Sequence, residues 1–455
     1  MKIHPLLLLF IFLFLLISYS CKPKTEPSGT LNKKIEVKHI NNSFKLYRNN
    51  EPYFIKGAGG YQHYDALKAA GGNSIRIWST ENAKQILDEA HKLGLTVIVG
   101  LKVAYAKTEL DYNDPQAVER QLKELKKEVL TYKDHPALLM WGIGNEPTLH
   151  LSPYDFLQHN NTWSAIDDIA KMIHELDPHH PTTTMLQDIS PITVFYISSF
   201  CKNIDILSVN IFRDVKKGSI SKELRSLGWT GPYILSEYGA LGYWAEEKQT
   251  DWYSLFELTS TNKADFIQRY YEQYIEADSM NCLGSYIFYW GQKNEYTPTW
   301  LSLFTDKGER TDIIDRMQFI WTKQWPLNRA PSIHKLTINK LEQPSSIYLN
   351  PNESLKVDIV THDVEADSIS IFWEIIADDS ERHFDATYNQ ESNKVIKKGV
   401  FHAASLFLTK DNLRQNISLQ TVAPSETGPY RLYIYVKDKT EGVATANIPF
   451  YVVED

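Results

Sequence analysis

At 455 residues, 43% hydrophobic and 23% charged, the chain has the composition of a globular protein long enough for one domain of about 250 to 300 residues plus a smaller one. Its net charge of −8, from 56 acidic and 48 basic residues with no basic block, argues against a nucleic-acid or anionic-membrane partner. Aromatic residues are plentiful, with 11 Trp and 26 Tyr, and core filling accounts for any single ring unless its placement says otherwise.

The N-terminus begins with a short basic start, Met1-Lys2-Ile3-His4, followed by an apolar run from Leu6 to Ile17. At 12 residues that run is shorter than the roughly 20 needed to span a bilayer as a helix, so it reads as an export signal. It ends in Ile17-Ser18-Tyr19-Ser20-Cys21, which resembles the lipobox of bacterial lipoproteins, in which the cysteine is lipidated and becomes the new N-terminus. Residues 1–21 are therefore expected to be a signal peptide with Cys21 as the lipidation site. Residues 22–33, rich in Lys, Pro, Ser, Thr and Gly, are expected to be a flexible tether. This implies an exported protein, lipid-anchored to a bacterial membrane on its periplasmic side or at the cell surface. Cys201 and Cys282 both sit in apolar contexts and are expected to be buried thiols rather than a disulfide.

Beyond Lys34 the chain alternates strand-like and helix-like segments. The strand-like ones are Phe54 to Gly57, Asn73 to Trp78, Leu95 to Leu101, Ala137 to Gly144, Thr182 to Leu186, Ile204 to Asn210, Tyr233 to Ser236 and Leu283 to Trp290. They are continuous apolar runs, as expected of a parallel sheet buried on both faces. Eight such units in about 270 residues predict an α/β fold, a TIM (β/α)8 barrel over 34–328. No Walker or GxGxxG arrangement competes, since Gly57-Ala58-Gly59-Gly60 lacks the partner residues and reads as a turn.

Around Trp325-Pro326-Leu327-Asn328-Arg329-Ala330-Pro331 that rhythm stops. Alternating segments separated by Asn-, Asp- and Gly-bearing turns then predict a small all-β immunoglobulin-like sandwich over 329–455. Tyr430, Leu432, Ile434 and Val436 should face inward, with Trp373 a candidate core plug.

Two of the barrel strands end in a glutamate. Trp141-Gly142-Ile143-Gly144-Asn145-Glu146-Pro147 closes the fourth, and Tyr233-Ile234-Leu235-Ser236-Glu237-Tyr238-Gly239 closes the seventh. The carboxyl ends of barrel strands form one mouth, so Glu146 and Glu237, 91 residues apart in sequence, converge there. Paired carboxylates suit glycosidic bond cleavage, where one protonates the leaving oxygen and the other attacks or activates water. No HExxH or CxxC is present, His179-His180 is a loop pair, and neither metal nor cofactor is expected.

WGIGNEP, SEYGA and the strand NSIRIW resemble the retaining clan A glycoside hydrolases, in particular the family 2 type of catalytic barrel. They are also similar to the bacterial family 158 endo-β-1,3-glucanases, in which an immunoglobulin-like domain follows the barrel. That resemblance implies Glu146 as acid/base, Glu237 as nucleophile, Asn145 as donor to the sugar 2-hydroxyl and Arg76 as the cation steadying the nucleophile. It further implies Trp290 as an aromatic platform under the reacting sugar, with Trp78 and Tyr238 as additional substrate-binding candidates. The implied partner is a β-glucan-type polysaccharide or oligosaccharide, acted on by a monomer. Clan A enzymes commonly place a Tyr or His after the sixth strand against the nucleophile, whereas Val209-Asn210-Ile211-Phe212 has Phe, leaving Tyr238 or Tyr289 to compensate. Tyr105, Trp244, Trp252 and Trp300, in long segments after strands, are candidates for flanking sugar platforms or for packing. A transglycosylase on the same barrel, or a non-catalytic glycan-binding lipoprotein, are the alternative readings.

Overall fold

The computed structural model describes residues 35–149, 151–214, 219–378, 395–402 and 414–454. Cys21 and the 22–33 tether lie outside the described residues.

The chain opens with three short antiparallel strands, β1 (Ile35–Ile40), β2 (Ser43–Arg48) and β3 (Glu51–Pro52). Eight parallel strands then close into a barrel: β4 (Ile55–Gly59), β5 (Ser74–Ile77), β6 (Thr96–Leu101), β7 (Leu138–Asn145), β8 (Thr182–Gln187), β9 (Ile206–Ile211), β10 (Tyr233–Tyr238) and β11 (Cys282–Ile287). Each segment expected to be a strand is one, with ends moved by a few residues. Continuous burial along β6, β9, β10 and β11 reflects helices on one side and a filled interior on the other.

Side-chain alternation divides these strands between two cores. Ile98, Met140, Met185, Ile206, Ile234, Leu283 and Tyr286 fill the barrel, and Ile35 and Leu46 of the N-terminal strands join that cluster. Ile75, Ile77, Val97, Val99 and Trp141 face outward into the helical layer. Hydrogen bonds cross the barrel wall: Ser74 pairs with the Tyr286 hydroxyl at 2.7 Å, and Thr183 with Ser208 at 2.6 Å. Cys201 and Cys282 are free and buried, and none of the described helices is long and apolar enough to cross a membrane.

The C-terminal part is a pair of packed sheets. A six-stranded sheet contains β12 (Arg310–Thr311), β14 (Tyr348–Leu349), β16 (Ser370–Ala377), β17 (Val395–His402), β19 (Gly428–Lys437) and β20 (Gly442–Val452). The other sheet holds β13 (Ser332–Ile338), β15 (Ser354–His362) and β18 (Arg414–Val422). Tyr430, Leu432, Ile434 and Val436 point into the core between the sheets, while Trp373 is only partly buried at its margin. The larger sheet reaches back before residue 328, because β12 pairs with Gly442 and Val443 of β20. A buried polar contact joins the two parts: Asn447 of β20 donates at 2.6 Å to Glu257, the carboxylate that Lys263 meets at 2.5 Å. The described residues form one compact unit.

Candidate active site

The site begins with the backbone at the end of β7. Gly144 has φ of 70° and Glu146 φ of 49°, both in the left-handed region. Glycine enters that region freely, but a glutamate does so at a cost, and such strain concentrates where side-chain direction matters. The Glu146 amide is tied to Met185 O at 2.9 Å, which holds the turn. On β10, one extra residue between Leu235 and Glu237 shifts the register against β9. This irregularity lets Ser236 and Glu237 both reach the inner network, while Leu235 and Tyr238 sit in the outer core.

Arg76 of β5, almost fully buried, organises the mouth. Its Nη1 donates to Glu237 Oε1 at 2.5 Å and to Ser236 O at 2.9 Å, and its Nη2 donates to Asn145 Oδ1 at 2.5 Å. The Trp78 indole N–H donates to the same Glu237 Oε1 at 2.9 Å. Asn210, at the end of β9, completes the ring: its Nδ2 donates to Glu146 Oε1 at 2.7 Å and to Asn145 Oδ1 at 3.2 Å, and its Oδ1 accepts from Ser236 Oγ at 2.7 Å. With two donors on Oδ1, the Asn145 amide turns its Nδ2 away from them.

The electrostatic settings of the two glutamates differ. Burial and the negative charge of Glu237 push the Glu146 carboxyl up to about 7, with Glu295 adding to the rise; the Asn210 hydrogen bond and the Arg76 guanidinium oppose it. Glu237 has a guanidinium and an indole N–H on one oxygen. Two carboxyl groups thus share one mouth in unequal environments, as an acid and a nucleophile require.

Two expected site residues are elsewhere. Trp290 is 1% exposed, its indole donates to His63 O at 3.0 Å, and its ring packs on Phe304 and Trp321. β11 stops at Ile287, so the chain has already turned into the outer core when it reaches Trp290, and no ring face is open to a sugar. Tyr238 is fully buried, stacked on Tyr270 with its hydroxyl near Met317 Sδ, because the residue after Glu237 on a strand points to the opposite side. It therefore does not replace the missing strand-six tyrosine; Trp78 is the ring whose donor reaches Glu237. Phe288 lies edge-on to Trp78 with centroids 5.8 Å apart, and Tyr289 is 6.1 Å from Trp78. Trp300 is buried and donates to Leu241 O, Trp252 packs against Tyr348 and Tyr451 of the C-terminal part, and Trp244 is half exposed. Asn210 was not singled out from sequence. Its signal was its place, a buried amide at a strand end two residues before the Phe212 that drew attention.

Residues 63–301, just over half of the chain, match the family described as glycosyl hydrolases family 2, TIM barrel domain. The chain belongs to glycosyl hydrolase family 2. Solved structures similar to it include a Bacteroides uniformis beta-glucuronidase, 15% identical with a TM-score of 0.47, the match covering 92% of this chain and 48% of that one. A Dictyoglomus thermophilum beta-D-glucuronidase is 19% identical with a TM-score of 0.47, over 64% of this chain and 54% of that chain. A Ruminococcus gnavus beta-glucuronidase is 13% identical with a TM-score of 0.46, over 64% and 53%. The chain thus spans about half the length of the proteins it matches. Among the described residues of this family 2 barrel, no group of His, Cys, Asp and Glu is arranged to hold a metal ion.

Among the described residues, ion pairs flank the mouth. Lys293 and Glu295, on the segment after β11, are 2.8 Å apart, and Lys102, just past β6, is 3.6 Å from Glu109. With Arg76 on Glu237, each of these three cations faces a carboxylate of the protein.

Proposed function

We propose that this family 2 barrel hydrolyses β-glycosidic bonds with retention of configuration, with Glu146 as acid/base and Glu237 as nucleophile. The observation that carries the reading is the linked but unequal pair, Glu146 pushed up to about 7 and Glu237 held by Arg76 in the same mouth. In the first step a Glu237 oxygen attacks the anomeric carbon, the bond to the leaving oxygen breaks, and Glu146 gives that oxygen its proton. In the second, Glu146, now a carboxylate, takes a proton from water as the water attacks the same carbon and frees Glu237. The Nδ2 end of Asn145, turned away from Arg76, is the donor offered to a sugar hydroxyl.

The resemblance of the two glutamate motifs to β-1,3-glucanases makes an endo-acting β-glucanase the finer reading. The buried guanidinium at the mouth, Arg76, is committed to Glu237, Ser236 O and Asn145, which supports an uncharged sugar over a uronate. From the lipobox-like stretch we infer that Cys21 carries a lipid anchor, which labelling with a radioactive fatty acid, lost in Cys21→Ala, would test.

The decisive experiment is nuclear magnetic resonance of the first-formed anomer from an aryl β-glucoside. A β-anomer appearing first is expected; an α-anomer would remove the nucleophile role from Glu237. Product profiles on laminarin, mixed-linkage glucan, mannan, galactan and an aryl β-glucuronide address the substrate. Turnover of the glucuronide alone would overturn the β-glucan reading and leave retention standing.

A further inference from the structure

We infer that Asn210 is the positioning residue that decides which oxygen of Glu146 carries the catalytic proton. The inference rests on the acid/base role proposed for Glu146.

The argument follows donor and acceptor polarity outward from Arg76. A guanidinium has only donors, so the Asn145 atom 2.5 Å from Nη2 must be an acceptor, its Oδ1. That oxygen cannot donate, so the Asn210 atom 3.2 Å from it must be a donor, its Nδ2. The same Nδ2 lies 2.7 Å from Glu146 Oε1, which therefore accepts. In a protonated carboxyl the carbonyl oxygen is the better acceptor, and a proton on Oε1 would compete with the incoming N–H. Oε1 is thus the carbonyl oxygen of the neutral acid, and Oε2 is the hydroxyl that faces the leaving group. At its other end Asn210 is fixed by Ser236 Oγ at 2.7 Å, one residue from Glu237. A single donor-only side chain, Arg76, thereby orients both carboxyl groups: Glu237 directly, Glu146 through two amides.

This N–H also steadies the charged form of Glu146 that the second step needs. The other charged groups facing Glu146 are Glu237 and Glu295, which oppose its ionisation, and Arg76, which favours it. Removing the Asn210 donor should therefore make Glu146 harder to ionise and leave its proton free to sit on either oxygen.

The test compares Asn210→Ala and Asn210→Asp with wild type on an aryl β-glycoside of good leaving group and one of poor leaving group, across pH. For Asn210→Ala the alkaline limb of kcat/KM should move up by about half to one pH unit, and the poor-leaving-group substrate should lose about 10- to 100-fold. The activated substrate, which needs little acid help, should lose less than about threefold in its first step. Asn210→Asp keeps the shape and puts an acceptor where the donor stood, so the limb should move further, by more than about one unit. If Asn210→Ala fails to fold, the Asp variant carries the reading. An unmoved alkaline limb, with both substrates slowed equally, would overturn the inference and leave Asn210 a packing residue. A wild-type profile with no alkaline limb would instead overturn the acid role of Glu146 itself.

Discussion

The indole of Trp78 and the guanidinium of Arg76, two residues apart on one edge of the barrel, both donate to Oε1 of Glu237, at 2.9 and 2.5 Å. In the mechanism proposed above, both donors on Oε1 leave Oε2 as the oxygen that attacks. Trp78→Phe keeps an aromatic ring and deletes only the N–H. A hydrogen bond to a charged group contributes about 1.5 to 3 kcal/mol, so kcat/KM should fall about 10- to 100-fold. The Kd of a non-reacting analogue should hardly change. Steady-state kinetics and analogue binding check this, and an unaltered kcat/KM would show that Arg76 alone holds the carboxylate.

The two glutamates should respond differently to removal. Glu237→Ala should abolish turnover on every substrate, with azide restoring reaction only to inverted products, because the azide occupies the vacated nucleophile side. Glu146→Ala should retain fast first-step chemistry on an activated aryl glycoside and accumulate the covalent intermediate. On a polysaccharide, whose leaving group needs the proton, the same variant should lose about 10²- to 10⁴-fold. Mass spectrometry of the intact protein detects the trapped adduct. Equal losses on both substrates, with no azide rescue of either variant, would dissolve the division of labour.

How much of this was legible in sequence follows from which side of a strand each residue occupies. The barrel strands were readable because strands buried on both faces become unbroken apolar runs, and Glu146 and Glu237 were readable because each interrupts such a run at its carboxyl end. Tyr238 was misplaced because adjacency on a strand means opposite faces, so the residue after Glu237 turns into the outer core. Trp290 was misplaced because the apolar run from Cys282 outlasts the hydrogen-bonded strand, which ends at Ile287. Asn210 was passed over because an amide carries no charge and no motif, and its importance lies in three partners brought from β7 and β10. The N-terminal strands β1 to β3 are short and half-polar, so nothing in their pattern announces that Ile35 and Leu46 belong to the barrel's inner core.

Asp312, at the start of the helix Asp312–Thr322, predicts a pH dependence of stability. Its Oδ2 accepts from Thr261 Oγ at 2.6 Å, and burial pushes its carboxyl up to about 6 against the opposing hydrogen bonds of Thr261 and Ser260. With a folded value above the unfolded one, the folded state binds more protons between about pH 4 and pH 6, so stability falls as pH rises through that window. The cost is absent below about pH 4 and complete above about pH 6, on the order of 1 to 3 kcal/mol. Asp312→Asn should leave Tm unchanged near pH 4 and raise it by about 2 to 6 °C at pH 8. A rise equal at both pH values would mean that the variant acts through packing and not through ionisation.

Arg431, fully buried on β19, ties the C-terminal sandwich to the loops at the barrel mouth. Its Nη1 donates to Asn447 Oδ1 at 2.8 Å, and its Nη2 donates to Asp378 Oδ2 at 3.0 Å and to Leu255 O at 2.9 Å. The Leu255 amide in turn donates to the hydroxyl of Tyr296, the neighbour of Glu295, and Tyr296 stacks on Tyr243. Arg431→Met leaves the Asp378 carboxylate buried with Ser254 as its side-chain partner among the described residues, a loss of about 3 to 5 kcal/mol in urea unfolding. Adding Asp378→Leu removes that stranded charge, and since a buried ion pair exchanged for apolar side chains is often neutral, the double variant should regain most of the stability. Its kcat/KM should nonetheless stay about 3- to 10-fold below wild type, because Leu255 O has lost its ligand and the segment carrying Glu295 is less firmly held. The two readouts separate the roles of the sandwich. Full recovery of both would make it a passive support; recovery of stability without activity would make it part of what shapes the mouth.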